Sequence, residues 1–292
     1  MDLIVYYNGE LIKNSDIPFS IYNQGFLYGD GACIKFRIYN TKPFLLKEHI
    51  DDFFYTNEKL DIDLSITAKT IETTIKVLLE INSLSNANAM IITTRGKSFA
   101  DLSVDIQKIP NILIMVNPVI EKDESLKYKG VSVCLSERRA PSRSVIDRQI
   151  YSLSNQLEIL GRIEAKHYNA ADILLLNLEG QVCECANSSI FIVKNKILYT
   201  PDVECGIRDL SVRRFIIKIA RHLRFKCFEG IITLKELFDA DECFLVSNDL
   251  EVLPVVEIEK HMISDGIPGK ITNQIIHAFQ ETTKGDGFGS LL

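Results

Sequence analysis

Four short apolar runs, separated by turn-forming residues, lie close together in the second half of this 292-residue chain. Each run is only three to five residues long, and all but Val182–Cys185 are rich in Ile, Val, Leu or Phe, which suits a buried strand better than a helix. The runs are Asp172–Leu176, Val182–Cys185, Ile190–Val193 and Ile197–Tyr199. Any fold of this chain must therefore place a dense sheet in its second half.

Helical and strand patterns mix in both halves of the chain. Asn8-Gly9 lies between the strand-like segments Leu3–Tyr7 and Leu11–Lys13, and this turn pair predicts a hairpin. Apolar residues at helical spacing predict helices over 66–82 and 152–167. Strands and helices do not alternate strictly as βαβ units, so we predict an α+β fold rather than a doubly wound sheet.

A charged segment with little apolar content separates the two halves. It extends over residues 118–129 and contains six charged side chains among its twelve residues. Such a shift in composition is typical of a linker between domains. We therefore predict an N-terminal α/β domain over residues 1–117, an interdomain linker over 118–129 and a C-terminal α/β domain over 130–292.

Charge and composition exclude several classes of partner. The formal net charge is −6 and no run of Lys and Arg interrupts it, so we expect neither nucleic acid nor an anionic membrane as a partner. The start of the chain lacks the features of a signal peptide, and the apolar runs are too short to span a membrane, which predicts a cytoplasmic location. Seven irregularly spaced cysteines favour reduced thiols, and Cys183 and Cys185 are two apart, which predicts packing rather than a metal site.

A series of short motifs follows a recognisable order along the chain. The segments are Gln24–Gly31, Phe44–His49, Thr93–Gly96, Glu164-Ala165, Asp172–Leu176, Gly180–Glu184, Ser189–Phe191, Leu237–Phe244 and Pro254-Val255. Together they resemble the fold-type IV PLP-dependent enzymes, the family of class IV aminotransferases and aminodeoxychorismate lyases. The resemblance implies a two-domain fold like that of the D-amino-acid aminotransferases, PLP between the domains, a homodimer, and an amino acid or small carboxylate as ligand.

The same resemblance points to a lysine that this chain lacks. PLP catalysis in such enzymes needs a lysine amine that condenses with the cofactor aldehyde. Tyr151 stands at the corresponding position, and no lysine occurs from Gly130 to Ala165. Arg148 is the nearest cation, but a guanidinium stays protonated and cannot form an imine.

The positions that hold the cofactor phosphate in the family are also altered. Asp52 stands where the resemblance implies an arginine, and a carboxylate there would repel a phosphate by about one to a few kcal/mol. Leu210–Arg213 replaces the family's glycine- and threonine-containing helix start. Ser247 and Asn248 take the place of a later phosphate-binding turn and retain groups that can form hydrogen bonds.

Three further site residues match the family, and each has a structural alternative. Glu184 corresponds to the carboxylate beside the pyridine nitrogen, or it faces solvent from a strand. Arg95 corresponds to an arginine that binds a substrate carboxylate, or it forms a surface salt bridge. Tyr28 lines the pocket in relatives, or it serves packing alone, and Tyr151 is a candidate proton donor.

The altered positions predict a family member with a degenerate PLP site rather than a conventional transaminase. Such a protein would bind a small carboxylate through Arg95 or act as a non-catalytic partner of a true aminotransferase. One alternative is an active aminotransferase or aminodeoxychorismate-type lyase that holds PLP through non-standard contacts. Another is a PLP-free enzyme that reuses the cleft, with Tyr151 as acid, Arg148 as anion binder and Glu184 as base.

Overall fold

Two compact units make up the chain in the computed structural model. The structure describes residues 2–97, 102, 104, 109–120 and 123–284. The first unit is formed by residues 1–121 and 150–155, and the second by residues 122–149 and 156–292. The first boundary lies inside the predicted linker. The segment 150–155, which the sequence placed in the C-terminal domain, belongs to the first unit instead.

Helices and strands are present in both units, which confirms the predicted α+β class. The described helices are α1 Gln24–Tyr28, α2 Leu46–Lys59, α3 Ala68–Ile81, α4 Leu126–Lys129, α5 Gln156–His167, α6 Ser211–His222, α7 Leu234–Phe238 and α8 Lys270–Lys284. The described strands are β1 Ile4–Tyr7, β2 Glu10–Lys13, β3 Gly31–Tyr39, β4 Lys42–Pro43, β5 Ala87–Thr94, β6 Asn111–Pro118, β7 Val131–Arg139, β8 Asp172–Leu176, β9 Val182–Cys185, β10 Ser189–Lys194, β11 Ile197–Pro201, β12 Cys227–Gly230, β13 Glu242–Ser247, β14 Glu251–Ile258 and β15 His261–Met262.

The first unit is an antiparallel sheet covered by two helices. Among the described residues the strand order is β2-β1-β6-β5-β3-β4. Buried and partly exposed residues alternate along β5, as expected for a strand with one face in the core. Ile71, Ile75 and Leu78 recur at helical spacing on α3 and are fully buried. Thr67 caps this helix by accepting a hydrogen bond from the amide of Thr70.

The segment 150–155 joins the first unit through backbone hydrogen bonds to the start of β3. The amide of Cys33 donates to the carbonyl of Tyr151 at 2.9 Å, and the amide of Leu153 donates to the carbonyl of Gly31 at 3.0 Å. The paired segments are far apart in the sequence, so the amino-acid composition of either segment could not predict that they pair. The predicted domain limits therefore missed the return of the chain to the first unit.

The second unit contains a larger mixed sheet. In the part of the chain that the structure describes, the order is β12-β11-β10-β13-β14-β7-β8-β9, with β15 paired to β14. All five residues of β8 and all four of β9 are buried, which accounts for their largely apolar character, and the charged side chains of Asp172 and Glu184 are buried with them. The four apolar runs predicted as strands correspond to β8, β9, β10 and β11.

Part of the predicted linker is folded onto the second unit. Leu126 packs against the apolar core of that unit, and the Lys127 ammonium lies 2.8 Å from a carboxylate oxygen of Glu251. This part of the predicted linker forms the short surface helix α4, which carries charged residues and contacts the core through Leu126. Residues 121 and 122 of the segment lie outside the described residues. None of the helices described here is long and apolar enough to cross a membrane.

Candidate functional site

Tyr151 is held by the backbone and by the core of the first unit. Its amide donates to Oγ1 of Thr56 at 3.2 Å, and its carbonyl accepts from the amide of Cys33 at 2.9 Å. Its ring is half-buried and packs against the apolar core of this unit. The hydrogen bonds of its amide and its carbonyl fix the position of Tyr151 beside β3. The side chain at this position is a phenol, which has no amine.

Local structure explains why most residues of the motif Tyr28–Gly31 are present. Gly29 ends α1 in the left-handed region, with φ of 70°, which favours glycine. A Cβ on Gly31 would clash with the carbonyl oxygen of Thr93, so only glycine allows β3 and β5 to approach this closely. Tyr28 is 40% exposed and precedes this turn. Asp30, between the two glycines, reaches Arg95.

Arg95 is buried and its guanidinium is largely engaged by the protein. Its Nε donates to Asp30 at 2.6 Å and its Nη2 donates to the other oxygen of the same carboxylate at 3.2 Å. The carbonyls of Leu60 and Asp61 accept from Nη2 and Nη1 at 2.6 and 3.0 Å. This fork-to-fork pair is the geometry with which an arginine binds a ligand carboxylate, and here Asp30 supplies the carboxylate.

Asp52 lies on α2 of the first unit, next to the buried Phe53. Its side chain is half-buried, whereas the preceding Asp51 is exposed. The buried residues of α2 include His49, Ile50 and Phe53, which form the face toward the sheet. The structure therefore places a carboxylate at the edge of the packed face, in the position where the resemblance implied a phosphate-binding arginine.

Glu184 lies on β9 of the second unit and is completely buried, so the solvent-facing alternative is wrong. Its Oε1 accepts from Nε of Arg148 at 2.9 Å, from Nη2 of the same arginine, and from Nε of Arg208 at 3.2 Å. Its Oε2 accepts from the backbone amide of Arg208 at 3.0 Å. The Nη2 atom of Arg148 also donates to Glu158 at 2.8 Å.

We call Arg148, Glu158, Glu184 and Arg208 the arginine–glutamate cluster. Burial alone would raise the pKa of Glu184, but the charges of Arg208 and Arg148 outweigh burial and hold this pKa below the usual range of a glutamate. Burial likewise disfavours the charged form of Arg148, but Glu184 and Glu158 raise its pKa. Two arginines and two glutamates give the cluster a formal charge of zero, as expected for buried charges.

At the start of α6, cations are likewise paired within the protein. Ser211 begins the helix, and its hydroxyl accepts from Nη2 of Arg214 at 3.0 Å. Arg213 is 1% exposed and pairs with Asp209 at 2.7 Å and with Glu229 at 2.8 Å. The basic side chains near this helix start are thus engaged by carboxylates of the same unit.

The turn after β13 contains the remaining predicted contacts. Ser247 is buried and its hydroxyl accepts from the amide of Leu250 at 3.0 Å, which closes the β13–β14 hairpin. Asn248 follows it in the turn and is half-buried. The hydroxyl of Ser247 therefore already has a structural role in the hairpin.

Sequence reasoning missed Glu158 and Arg208, which complete the cluster around Glu184. Arg208 is 24 residues from Glu184, and Glu158 lies ten residues after Arg148 on a different element. No periodic pattern connects these spacings. The only local signal is the sequence Arg208-Asp209 immediately before a helix, which marks a charged turn but names no partner.

Comparison with known sequences establishes the family. The profile of the family "Amino-transferase class IV" matches residues 35–258. The chain is 31% identical over 280 residues to a putative branched-chain-amino-acid aminotransferase of Methanocaldococcus jannaschii, with 95% of each chain covered. It is 28% identical to a D-alanine aminotransferase of Bacillus licheniformis, over 95% of this chain and 96% of that one. The chain belongs to the class IV aminotransferase family.

Solved structures show the same fold. The branched-chain amino acid aminotransferase of Escherichia coli superposes with a TM-score of 0.93 at 20% identity, covering 99% of this chain and 98% of that one. The branched-chain amino acid aminotransferase of Thermobaculum terrenum in its PLP form gives a TM-score of 0.88 at 22% identity, covering 97% and 94%. The predicted resemblance to fold-type IV enzymes is therefore confirmed.

Proposed function

We propose that this class IV aminotransferase family member has a degenerate PLP site and does not perform conventional transamination. The observation that carries the proposal is Tyr151 at the position of the family lysine, because a phenol cannot condense with an aldehyde to an imine. The hydrogen bonds of its backbone to Cys33 and Thr56 support this assignment, since a shift of register would break both.

Contacts elsewhere in the chain also argue against PLP held in the family's manner. The carboxylate of Glu184 is engaged by Arg148 and Arg208 rather than open to a pyridine nitrogen. At the position of the phosphate-binding arginine, Asp52 brings a negative charge. The residues present therefore do not fit the cofactor.

A trapping experiment tests this proposal directly. The purified protein is incubated with PLP, its visible absorbance is recorded, and borohydride is then added to reduce any imine to a stable secondary amine. We expect no imine band once free PLP is removed and no single lysine that is labelled stoichiometrically, although exposed lysines can carry scattered adducts. The D-alanine aminotransferase of Bacillus licheniformis, treated in parallel, is the positive control. A pyridoxyl-lysine adduct at one defined position would refute the proposal.

The same experiment addresses the second candidate function, an active aminotransferase or lyase that uses PLP through non-standard contacts. Sequence similarity to the D-alanine aminotransferase and to the aminodeoxychorismate lyase of Bacillus subtilis, the latter at 30% identity over 260 residues, favours this candidate. It requires a lysine from outside residues 130–165. Peptide mapping of the borohydride-reduced protein would identify that lysine.

A PLP-free enzyme that uses Glu184 as its base is less well supported. A general base works best when its pKa lies near the working pH. Burial raises the pKa of Glu184, but Arg208 and Arg148 lower this pKa by more than burial raises it. The pKa of Glu184 therefore lies below its usual value, and thus farther from neutral pH. The ion pairs thus favour a structural role for this carboxylate.

As ligand we propose a small carboxylate, which would be bound by Arg95. Asp30 occupies the fork of this guanidinium, so the ligand must displace it or use the remaining donor capacity of Nη1. Replacing Asp30 by Asn should then strengthen binding of a probe such as pyruvate, measured by isothermal titration calorimetry. The double variant Asp30→Asn with Arg95→Gln is the matched control and should lose this gain. Equal affinities in all three proteins would refute a role of Arg95.

We also propose that the chain forms a homodimer, as the resemblance to the family implies. An exposed apolar face on the first unit supports this, with Phe19, Ile21 and Phe26 at 59%, 65% and 63% exposure and the two phenyl rings in edge contact. Light scattering after gel filtration measures the mass. Phe19→Ser combined with Phe26→Ser should shift the protein toward monomer, whereas Ile81→Ser, at a separate exposed apolar position, should not.

A further inference from the structure

The arginine–glutamate cluster of the second unit has little capacity left for an outside ligand. A carboxylate offers about four lone-pair positions to hydrogen-bond donors. Glu184 already accepts from two nitrogens of Arg148 and from the backbone amide and Nε of Arg208. Three of these contacts fall on Oε1, and Oε2 accepts from the backbone amide of Arg208 and, at 3.3 Å, from its Nε, so both oxygens are engaged and a further cationic donor can bind only if one of the arginines withdraws.

The two arginines are not equally replaceable. Arg208 is anchored by its own backbone amide on Glu184, and its Nη2 donates to the carbonyl of Ala186 at 2.8 Å. The Arg148 side chain donates instead to the carboxylates of Glu184 and Glu158. Arg148 is therefore held to Glu184 through its side chain, whereas Arg208 is anchored to it through its backbone as well.

Charge counting within the cluster leads to the same residue. With Arg148 present, two positive charges balance two negative ones. Without it, Arg208 faces both Glu184 and Glu158, and the cluster carries a formal charge of −1. A buried site with one unbalanced negative charge favours a cation that can donate a hydrogen bond, and a protonated pyridine nitrogen is such a group.

We infer that Arg148 takes the place of a bound cation opposite Glu184 and closes this carboxylate to a protonated pyridine ring. The inference rests on the proposed function, since it explains how Glu184 persists in a family member without the PLP lysine. It adds a second and independent obstacle to cofactor binding, located in the second unit. Removing Arg148 should therefore open Glu184 to a pyridine ligand even while Tyr151 is unchanged.

Pyridoxamine 5'-phosphate is the probe for this test, because it contains the pyridine ring and phosphate but needs no lysine. Its dissociation constant is measured by fluorescence titration for the wild-type protein, Arg148→Met and Arg148→Lys. We expect Arg148→Met to bind the probe at least about tenfold more tightly than the wild type. Arg148→Lys retains the positive charge and should bind as weakly as the wild type. Equal affinity of the wild type and Arg148→Met would overturn the inference.

Two further arms keep the result interpretable. Circular dichroism and thermal unfolding report whether Arg148→Met is folded. Arg148→Gln is a second neutral variant, which keeps an NH2 donor, and it is judged by the same criterion. Failure of the proposed function would be seen separately, as a borohydride-trapped lysine imine in the wild type. That outcome does not depend on pyridoxamine 5'-phosphate, which forms no imine with lysine.

Discussion

Replacing Glu184 by Gln would show how strongly the arginine–glutamate cluster stabilises the second unit. The substitution keeps the shape of the side chain but removes one of two negative charges that face Arg148 and Arg208. Glu158 alone then faces two guanidinium groups, and the new amide places N–H donors against other donors. Breaking a buried ion pair from one side costs about 3–5 kcal/mol. The complete burial of Glu184 puts the expected loss in that range.

The assay is equilibrium urea unfolding followed by far-ultraviolet circular dichroism. The matched control is Glu281→Gln on α8, whose carboxylate is 54% exposed and lies 3.4 Å from His277. An exposed pair of this kind contributes little, so the control should change the free energy of unfolding by less than about 0.5 kcal/mol. A loss below about 1 kcal/mol for Glu184→Gln would refute the argument that the cluster is a major stabilising contact.

Acid titration gives a second readout of the same carboxylate. Because the folded-state pKa of Glu184 lies below its unfolded value, the ionised side chain stabilises the fold above the unfolded pKa, near 4.5. This contribution is lost as the pH falls through the folded-state pKa. The wild type should therefore lose stability below about pH 4.5 more steeply than Glu184→Gln, which has no proton to gain. Parallel acid-unfolding profiles of the two proteins would contradict this reasoning.

Three further substitutions test the first unit, each by thermal unfolding. Tyr151→Lys should destabilise by about 1–3 kcal/mol through lost ring packing, whereas Tyr151→Phe should stay close to the wild type; equal losses would refute the packing role. Asp30→Asn should cost about 2 kcal/mol because it weakens a charged hydrogen-bonded pair with Arg95, and an unchanged transition would contradict that. Gly31→Ala should cost about 1–3 kcal/mol by overpacking against a β5 carbonyl, while Gly230→Ala, with open space around it, should be nearly neutral.

Local sequence patterns determined much of the fold. The strands β8 and β10 coincide with predicted apolar runs, because short segments rich in Ile, Leu, Val or Phe and bounded by turns have few other ways to bury their side chains. The helix predicted over 152–167 is present as α5, Gln156–His167, and begins four residues late. The residues before it pair with β3 instead, so tertiary contact overrode the helical pattern at its N-terminal end.

The sequence by itself also determined which chemical groups are available: Tyr151 is a phenol in any fold, and Asp52 is a carboxylate. Only the tertiary structure decided what the charged groups that match the family contact. Glu184 meets Arg148 across 36 residues and Arg208 across 24, and Asp30 meets Arg95 across 65. Local periodicity holds no information on such pairs, because they form when separate segments are brought together by burial of the two cores. The buried charges are then paired, because a buried ion without an opposite charge would strongly destabilise the fold.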